Sequence, residues 1–178
     1  MSEYAEVTGR DTVRLERVLP GPVERVWAYL TEPDKRAKWL AGGSMELRAG
    51  GRSEMRFNHA ELSAEKTPPD KFKTHKGGHV FECRIIACDP PRLLSHTWGD
   101  EAGKDGEVSF ELTPRGKDVL LVITHTRLPS RDAMRSVSGG WHAHVDILED
   151  VLNNREPRGF WSSHTKLAAE YEKRMASD

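Results

Sequence analysis

Cysteine is scarce in this chain: its 178 residues hold two, Cys83 and Cys88. That excludes a disulfide-framed scaffold. The pair sits on one strand at an odd spacing, so the two side chains face opposite sides and neither bridge nor share a metal. A role as small core residues is expected. Long apolar runs are also missing. No stretch approaches the ~20 residues that span a bilayer, and residues 1–10 are polar, without an apolar h-region. Membrane insertion and secretion are therefore not expected, and a cytoplasmic protein is. Charge of one sign is lacking as well. Lys and Arg number 27 against 28 Asp and Glu, a net charge of −1, which gives no electrostatic case for nucleic acid or an anionic membrane. Nucleophile elbow, P-loop, dinucleotide fingerprint and zinc signature are all absent. No metal and no cofactor are expected.

What is present is periodicity. Thr12 to Leu19 alternates, with Val13, Leu15, Arg17 and Leu19 on one parity, a half-buried strand with one arginine on its inner side. Val23, Val26, Trp27 and Leu30 then fall at i, i+3, i+4 and i+7, one face of a helix that Pro22 can open. Pro33 separates a second short helical piece ending at Trp39. Met45–Arg48 and Ser53–Phe57, joined by Ala49-Gly50-Gly51-Arg52, read as a hairpin. Residues 60–78 show no periodicity and are expected to form a long exposed loop. Strands are expected over His79–Cys88, Leu93–Trp98, Glu107–Thr113 and Asp118–Leu128, with Asp89-Pro90-Pro91 and Pro114-Arg115-Gly116-Lys117 as turns.

The period changes after Ser130. Met134, Val137, Trp141, Val145, Leu148 and Leu152 form one stripe of a long helix. Gly139-Gly140 inside it costs about 1 kcal/mol per glycine against alanine, which suggests close backbone approach or a bend. A shorter helix carries Phe160, His164, Leu167, Tyr171 and Met175. The predicted class is α+β: an antiparallel sheet of six to seven strands curved around a long C-terminal helix, with two short helices after the first strand. Residues 1–11 are read as a flexible N-terminus, 12–153 as the domain, and 154–178 as an extra helix packed on or near it.

These features carry a resemblance. Glu16-Arg17-Val18 before Pro22, Val26-Trp27, Pro33, Trp39, Gly50-Gly51, Asp89-Pro90-Pro91-Arg92-Leu93, Thr97-Trp98, Thr124-His125-Thr126 and Gly140-Trp141 with Leu148 occur in an order and spacing that span most of the chain. Together the chain resembles the START-like, or SRPBCC, helix-grip superfamily, within it the branch named for the activator of the Hsp-ninety ATPase. The resemblance implies a deep apolar cavity between sheet and helix, used across the superfamily for lipids, sterols, polyketides or plant hormones. The insertion at residues 60–78 and the helix after Pro157 depart from the superfamily pattern.

Several residues are candidates for lining such a cavity: Arg17, Trp39, Phe57, His96, Trp98, Phe110, Leu121, His125, Trp141 and Val145. His96 shares parity with Leu94 and Trp98, and His125 with Leu121 and Ile123. An arginine and two histidines there could fix a carboxylate or a phenol by charge-assisted hydrogen bonds. The commoner fate of such inward polar groups is pairing within the protein. The aromatic residues are core first and cavity wall second. His75 and His79 have the i, i+4 spacing of a zinc helix, but Lys76-Gly77-Gly78 between them is not helical in character. His142 and His144 point about 200° apart on a helix and cannot share an ion. A pair of His142 with Asp146 is expected at the solvated surface. Ser162-Ser163-His164 shows no orienting carboxylate.

The leading expectation is a non-catalytic module holding a small apolar or aromatic molecule between sheet and helix. A cyclase-like enzyme using His96, His125 or Arg17 is the first alternative. A protein-interaction module, whether chaperone activator or homodimer, is the second, with Phe160, Trp161 and Tyr171 as its clue.

Overall fold

A computed structural model describes residues 2–69, 78–99 and 106–176. The strands are β1 (Glu6–Gly9), β2 (Thr12–Pro20), β3 (Arg52–Phe57), β4 (His79–Asp89), β5 (Leu93–Trp98), β6 (Gly106–Arg115) and β7 (Asp118–Thr126). The helices are α1 (Val23–Thr31), the single turn α2 (Pro33–Arg36), α3 (Arg131–Leu152) and α4 (Phe160–Arg174), with a 3-10 turn at His59–Glu61. All seven strands form one antiparallel sheet in the order β1-β2-β7-β6-β5-β4-β3. The sheet and the long helix expected from the periodicity are both present. Among the described residues, no helix is long and apolar enough to cross a membrane.

Alternation explains the sheet's two faces. On β2 the buried residues are Val13, Leu15, Arg17 and Leu19, and their partners on β7 are His125, Ile123, Leu121 and Val119. This inner face continues through Val108, Phe110 and Leu112 of β6 and Leu94 and His96 of β5. The apolar stripe of α3 lies on it, with Ala143, Val145, Ile147 and Leu148 fully buried. Ser130 caps this helix, its hydroxyl oxygen accepting the Ala133 amide at 3.1 Å.

Three expectations need correction. The 45–48 segment is not a strand: it meets β3 through the isolated bridge Met45↔Ser53 and the Glu46 amide, which donates to the Arg52 carbonyl at 2.8 Å, with a second bridge, Gly42↔Arg56, ahead of it. Arg36, 1% exposed, holds the chain ahead of the segment, donating to the carbonyls of Ala41 (2.8 Å), Gly42 (3.0 Å) and Gly43 (2.6 Å). Gly43, at φ +98°, also breaks the extended conformation. Second, the 60–78 segment opens on the 3-10 turn, and Leu62 and Ser63 are buried; residues 70–77, including His75, lie outside the described residues. Third, His142 and Asp146 are not at the surface but 1% and 7% exposed. The expected strand β2 also gains an edge neighbour, β1, whose polar sequence carries no apolar alternation.

Helix α4 returns along α3. An ionic corner around the buried Asp150 fixes the turn: its carboxylate accepts from Arg158 Nε (2.8 Å), Arg158 Nη2 (2.9 Å), the Arg158 amide (3.0 Å) and Arg155 Nη2 (3.1 Å). These donors, Arg158 foremost, hold the Asp150 carboxyl down at about 2.

Candidate functional site

Between the inner face of β3–β5, one side of α3 and the first turn of α4 lies a cavity of about 340 Å³. The sheet contributes Phe57, His79, Phe81 and Trp98; α3 contributes Ser136, Val137, Gly140, Trp141 and His144; α4 contributes Phe160, Trp161 and His164; Leu40 and His59 complete the wall. The aromatic rings brace one another. Trp98 and Trp141 have centroids 4.8 Å apart, Phe57 meets Trp98 edge-on at 5.8 Å, and Phe160 lies 4.9 Å from His144.

The wall contributed by α4 depends on the segment ahead of β4. Ser63 Oγ accepts the Phe160 amide at 3.0 Å, and the Glu65 carboxylate accepts the Ser162 amide at 3.0 Å together with the Ser162 hydroxyl. Glu65 thus caps the open end of α4, and the Ser162 hydrogen bonds hold its carboxyl below the usual carboxylate range. A carboxylate does reach the Ser162-Ser163-His164 triplet, as a helix cap.

His144 has a defined tautomer. Its Nδ1 lies 2.7 Å from the Trp39 carbonyl. A carbonyl only accepts, so Nδ1 carries the proton and Nε2 of the neutral ring is an acceptor. Burial, helped by nearby His59, lowers its pKa to about 3. Among the described lining residues there is no Asp, Glu, Lys or Arg. The site is apolar and aromatic, edged by imidazoles.

Of the residues marked in the sequence, Phe57, Trp98 and Trp141 line this cavity. Trp39 stands behind it, fully buried, its Nε1 donating to the Tyr29 carbonyl at 2.7 Å while its own carbonyl orients His144. Phe110, Leu121 and Val145 lie in the core beneath, Phe110 edge-on to Trp141 at 5.5 Å. His96 gives its Nδ1 proton to the Thr97 carbonyl at 2.8 Å. His125 accepts the Trp141 indole proton at 3.0 Å, so its Nδ1 is unprotonated and it positions the tryptophan from behind. Burial lowers both histidines to about 4.

Arg17 points elsewhere. Its Nη1 lies 2.8 Å from Asp146 Oδ1 and 3.4 Å from Glu149 Oε2, both on α3. No arginine from β2 enters the cavity. Internal pairing, the commoner fate of such groups, is what these three polar side chains show.

Sequence reasoning did not place His59, Phe81, His144, Phe160 or Trp161 at a cavity. Phe81 had a signal in its parity with Cys83 and Ile85, and His144 in its turn away from His142. Phe160 lies on the stripe read for the second helix, where it and Trp161 read as an interaction face rather than a cavity wall; His59, beside an aperiodic segment, gave none. Within the described residues, no three His, Cys, Asp or Glu side chains are arranged to hold a metal ion.

The geometry can be set against known proteins. The family model described as "Activator of Hsp90 ATPase homolog 1-like protein" matches residues 20–153. No curated protein matches the chain. The solution structure of the protein encoded by BPP1335 of Bordetella parapertussis is 43% identical, with a TM-score of 0.81, covering 97% of this chain and 93% of that one. CalU16 of Micromonospora echinospora is 21% identical, with a TM-score of 0.69, covering 93% of this chain and 89% of its own. DynU16, from the dynemicin biosynthetic locus, is 21% identical, with a TM-score of 0.63, covering 84% of this chain and 49% of its own. These last two likenesses speak to the fold alone. A curved antiparallel sheet gripping a long helix, matched by that family model from residue 20 to residue 153, makes this chain a member of the family of activator of Hsp90 ATPase homolog 1-like proteins, in the SRPBCC helix-grip superfamily.

Proposed function

We propose that the protein binds a small, mostly apolar, aromatic molecule in the cavity between β3–β5, α3 and α4. The observation that carries this reading is the wall: six aromatic side chains, Phe57, Phe81, Trp98, Trp141, Phe160 and Trp161, enclose about 340 Å³ without an ionised group among the described lining residues. That volume falls at the small end of the roughly 300–1,000 Å³ of ligand sites. A solid core would fill such a space, since interiors pack to crystal-like density. The burial of Phe160, Trp161 and Tyr171, at 2%, 7% and 0% exposure, supports a ligand wall over a docking face on α4.

Native mass spectrometry and thermal shift against flavonoids, aromatic polyketides and fatty acids test the reading. One or more aromatic compounds should form a one-to-one adduct and raise the melting temperature. Gly140→Leu should abolish both, because a Cβ at Gly140 meets nothing within 4 Å and a leucine there would occupy the cavity. No adduct with any aromatic compound, at concentrations up to their solubility, would defeat it.

Chemistry on the ligand is the second reading, favoured by the imidazoles of His59, His79, His144 and His164 around one space. Product formation from a bound aromatic substrate, lost in the Gly140→Leu variant, would establish it.

A further inference from the structure

We infer that the ligand of this cavity is a neutral hydroxylated aromatic, a phenol or enol whose O–H donates to Nε2 of His144. This deepens the binding reading and rests on it.

Four observations lead there. The Trp39 carbonyl, 2.7 Å from Nδ1, takes the imidazole proton and leaves Nε2 with a lone pair. Trp39 is itself anchored through its indole to the Tyr29 carbonyl at 2.7 Å, so the ring is oriented by a chain of fixed groups rather than by solvent. The ring lines the cavity between Phe57, at 6.0 Å, and Phe160, at 4.9 Å, which places the acceptor beside faces suited to a flat aromatic ligand. Finally, the arginine that could have neutralised a carboxylate is committed to Asp146 at 2.8 Å, outside the lining.

The two ligand chemistries open in the sequence therefore separate. A carboxylate would be buried with no cation beside it among the described lining residues, which is strongly unfavourable. Protonating His144 to supply one is opposed by its burial and by nearby His59. A phenol or enol brings a donor to a waiting acceptor and needs no charge. His144 is here a binding and specificity residue, and no proton leaves the ligand.

The test uses three probes of one ring system, 2-naphthol, 2-methoxynaphthalene and 2-naphthoate, titrated into the full chain and followed by quenching of the cavity tryptophans. The expected order is 2-naphthol tightest, 2-methoxynaphthalene about three- to tenfold weaker for the lost hydrogen bond, and 2-naphthoate weakest. His144→Phe should bring 2-naphthol to the affinity of 2-methoxynaphthalene and leave the ether unchanged. Should that variant fold poorly, the nitrogen-15 resonance of Nε2 in the unaltered protein serves instead. It should be of the unprotonated type in the free protein and shift toward the hydrogen-bonded type with 2-naphthol alone. Equal binding of naphthol and ether, or preference for the naphthoate, overturns the inference while sparing the cavity reading. Failure of all three probes to bind overturns the inference, and the cavity reading falls with it when the flavonoids and aromatic polyketides also give no adduct.

Discussion

Helix α3 has two polar-bearing sides that behave oppositely. One side faces the cavity with Gly140, Trp141 and His144. The other faces β2 and α4 with His142, Asp146 and Asp150, where polar groups satisfy one another. The Ala5 amide donates to Tyr171 Oη at 2.6 Å, and the same hydroxyl shares a hydrogen bond with His142 Nδ1 at 2.8 Å. His142 Nε2 then lies 3.7 Å from Asp146 Oδ1, the same oxygen that takes Arg17 Nη1 at 2.8 Å. A shift of two positions, from His142 to His144, exchanges a structural network for a ligand wall. The difference teaches where to look for function: the closed network is stability, and the side left with room is the site.

The largest effect should come from breaking the closed side. Arg17 is buried, and its Nε and Nη2 have no hydrogen-bond partner, so Asp146 is its main compensation. Asp146→Ala should destabilise by about 3–5 kcal/mol in urea unfolding, because it strands a buried charge. Arg17→Met combined with Asp146→Leu should recover most of that loss, because an apolar pair of similar volume needs no compensation. If the single variant costs less than the double, the network is not what holds this side.

Acid should weaken both sides, next in magnitude. His96 and His125 fold with pKa values near 4 and His144 near 3, and His142 is lowered as well. An unfolded histidine titrates near ~6.5. Between those values the unfolded chain binds more protons, so stability present above pH ~6.5 is lost progressively as pH falls toward 4, then levels as the native histidines protonate. Each unit of difference is about 1.4 kcal/mol, so a single such histidine accounts for about 3 kcal/mol by pH 4. The His125 contribution has a specific signature. Its protonation removes the acceptor for the Trp141 indole proton, so indole exchange and near-ultraviolet ellipticity should change with it. A flat stability profile from pH 7 to 4.5 would contradict the burial of these rings.

Most of the frame was legible because it follows from period. Alternation marked six of the seven strands, and the three-and-four spacing marked α3 with its stripe inward. Parity also turned Arg17, His96 and His125 inward correctly. What parity could not supply was the partner. Asp146 sits 129 residues from Arg17, and only the docking of α3 on β2 brings them together. Much of the cavity wall was hidden for a related reason. His59, Phe160 and Trp161 come from a 3-10 turn and a helix start whose placement rests on Ser63 and Glu65 capping α4, long-range contacts with no local pattern. The 45–48 segment misled because the chain entering it is held irregular, by Arg36 on the carbonyls of Ala41 and Gly43 and by Gly43 at φ +98°, which alternation does not register.

The smallest effect separates the two adjacent glycines of α3. Neither is required by contact: a Cβ at Gly139 would meet Ala168 at an ordinary 3.9 Å, and one at Gly140 would meet nothing within 4 Å. By helix propensity alone, alanine at either position should stabilise by up to about 1 kcal/mol. Gly139→Ala lies on the α4 side and should raise the melting temperature with ligand affinity unaltered. Gly140→Ala should raise it similarly yet weaken binding of an aromatic ligand, because its methyl enters the cavity. Opposite signs of stability and affinity at one position, beside equal stability and unchanged affinity at its neighbour, would mark the empty side of α3 as kept open for a ligand at a cost in stability. If Gly140→Ala leaves affinity intact, the space beside it is not where the ligand sits, and the division between the two sides of the helix must be drawn elsewhere.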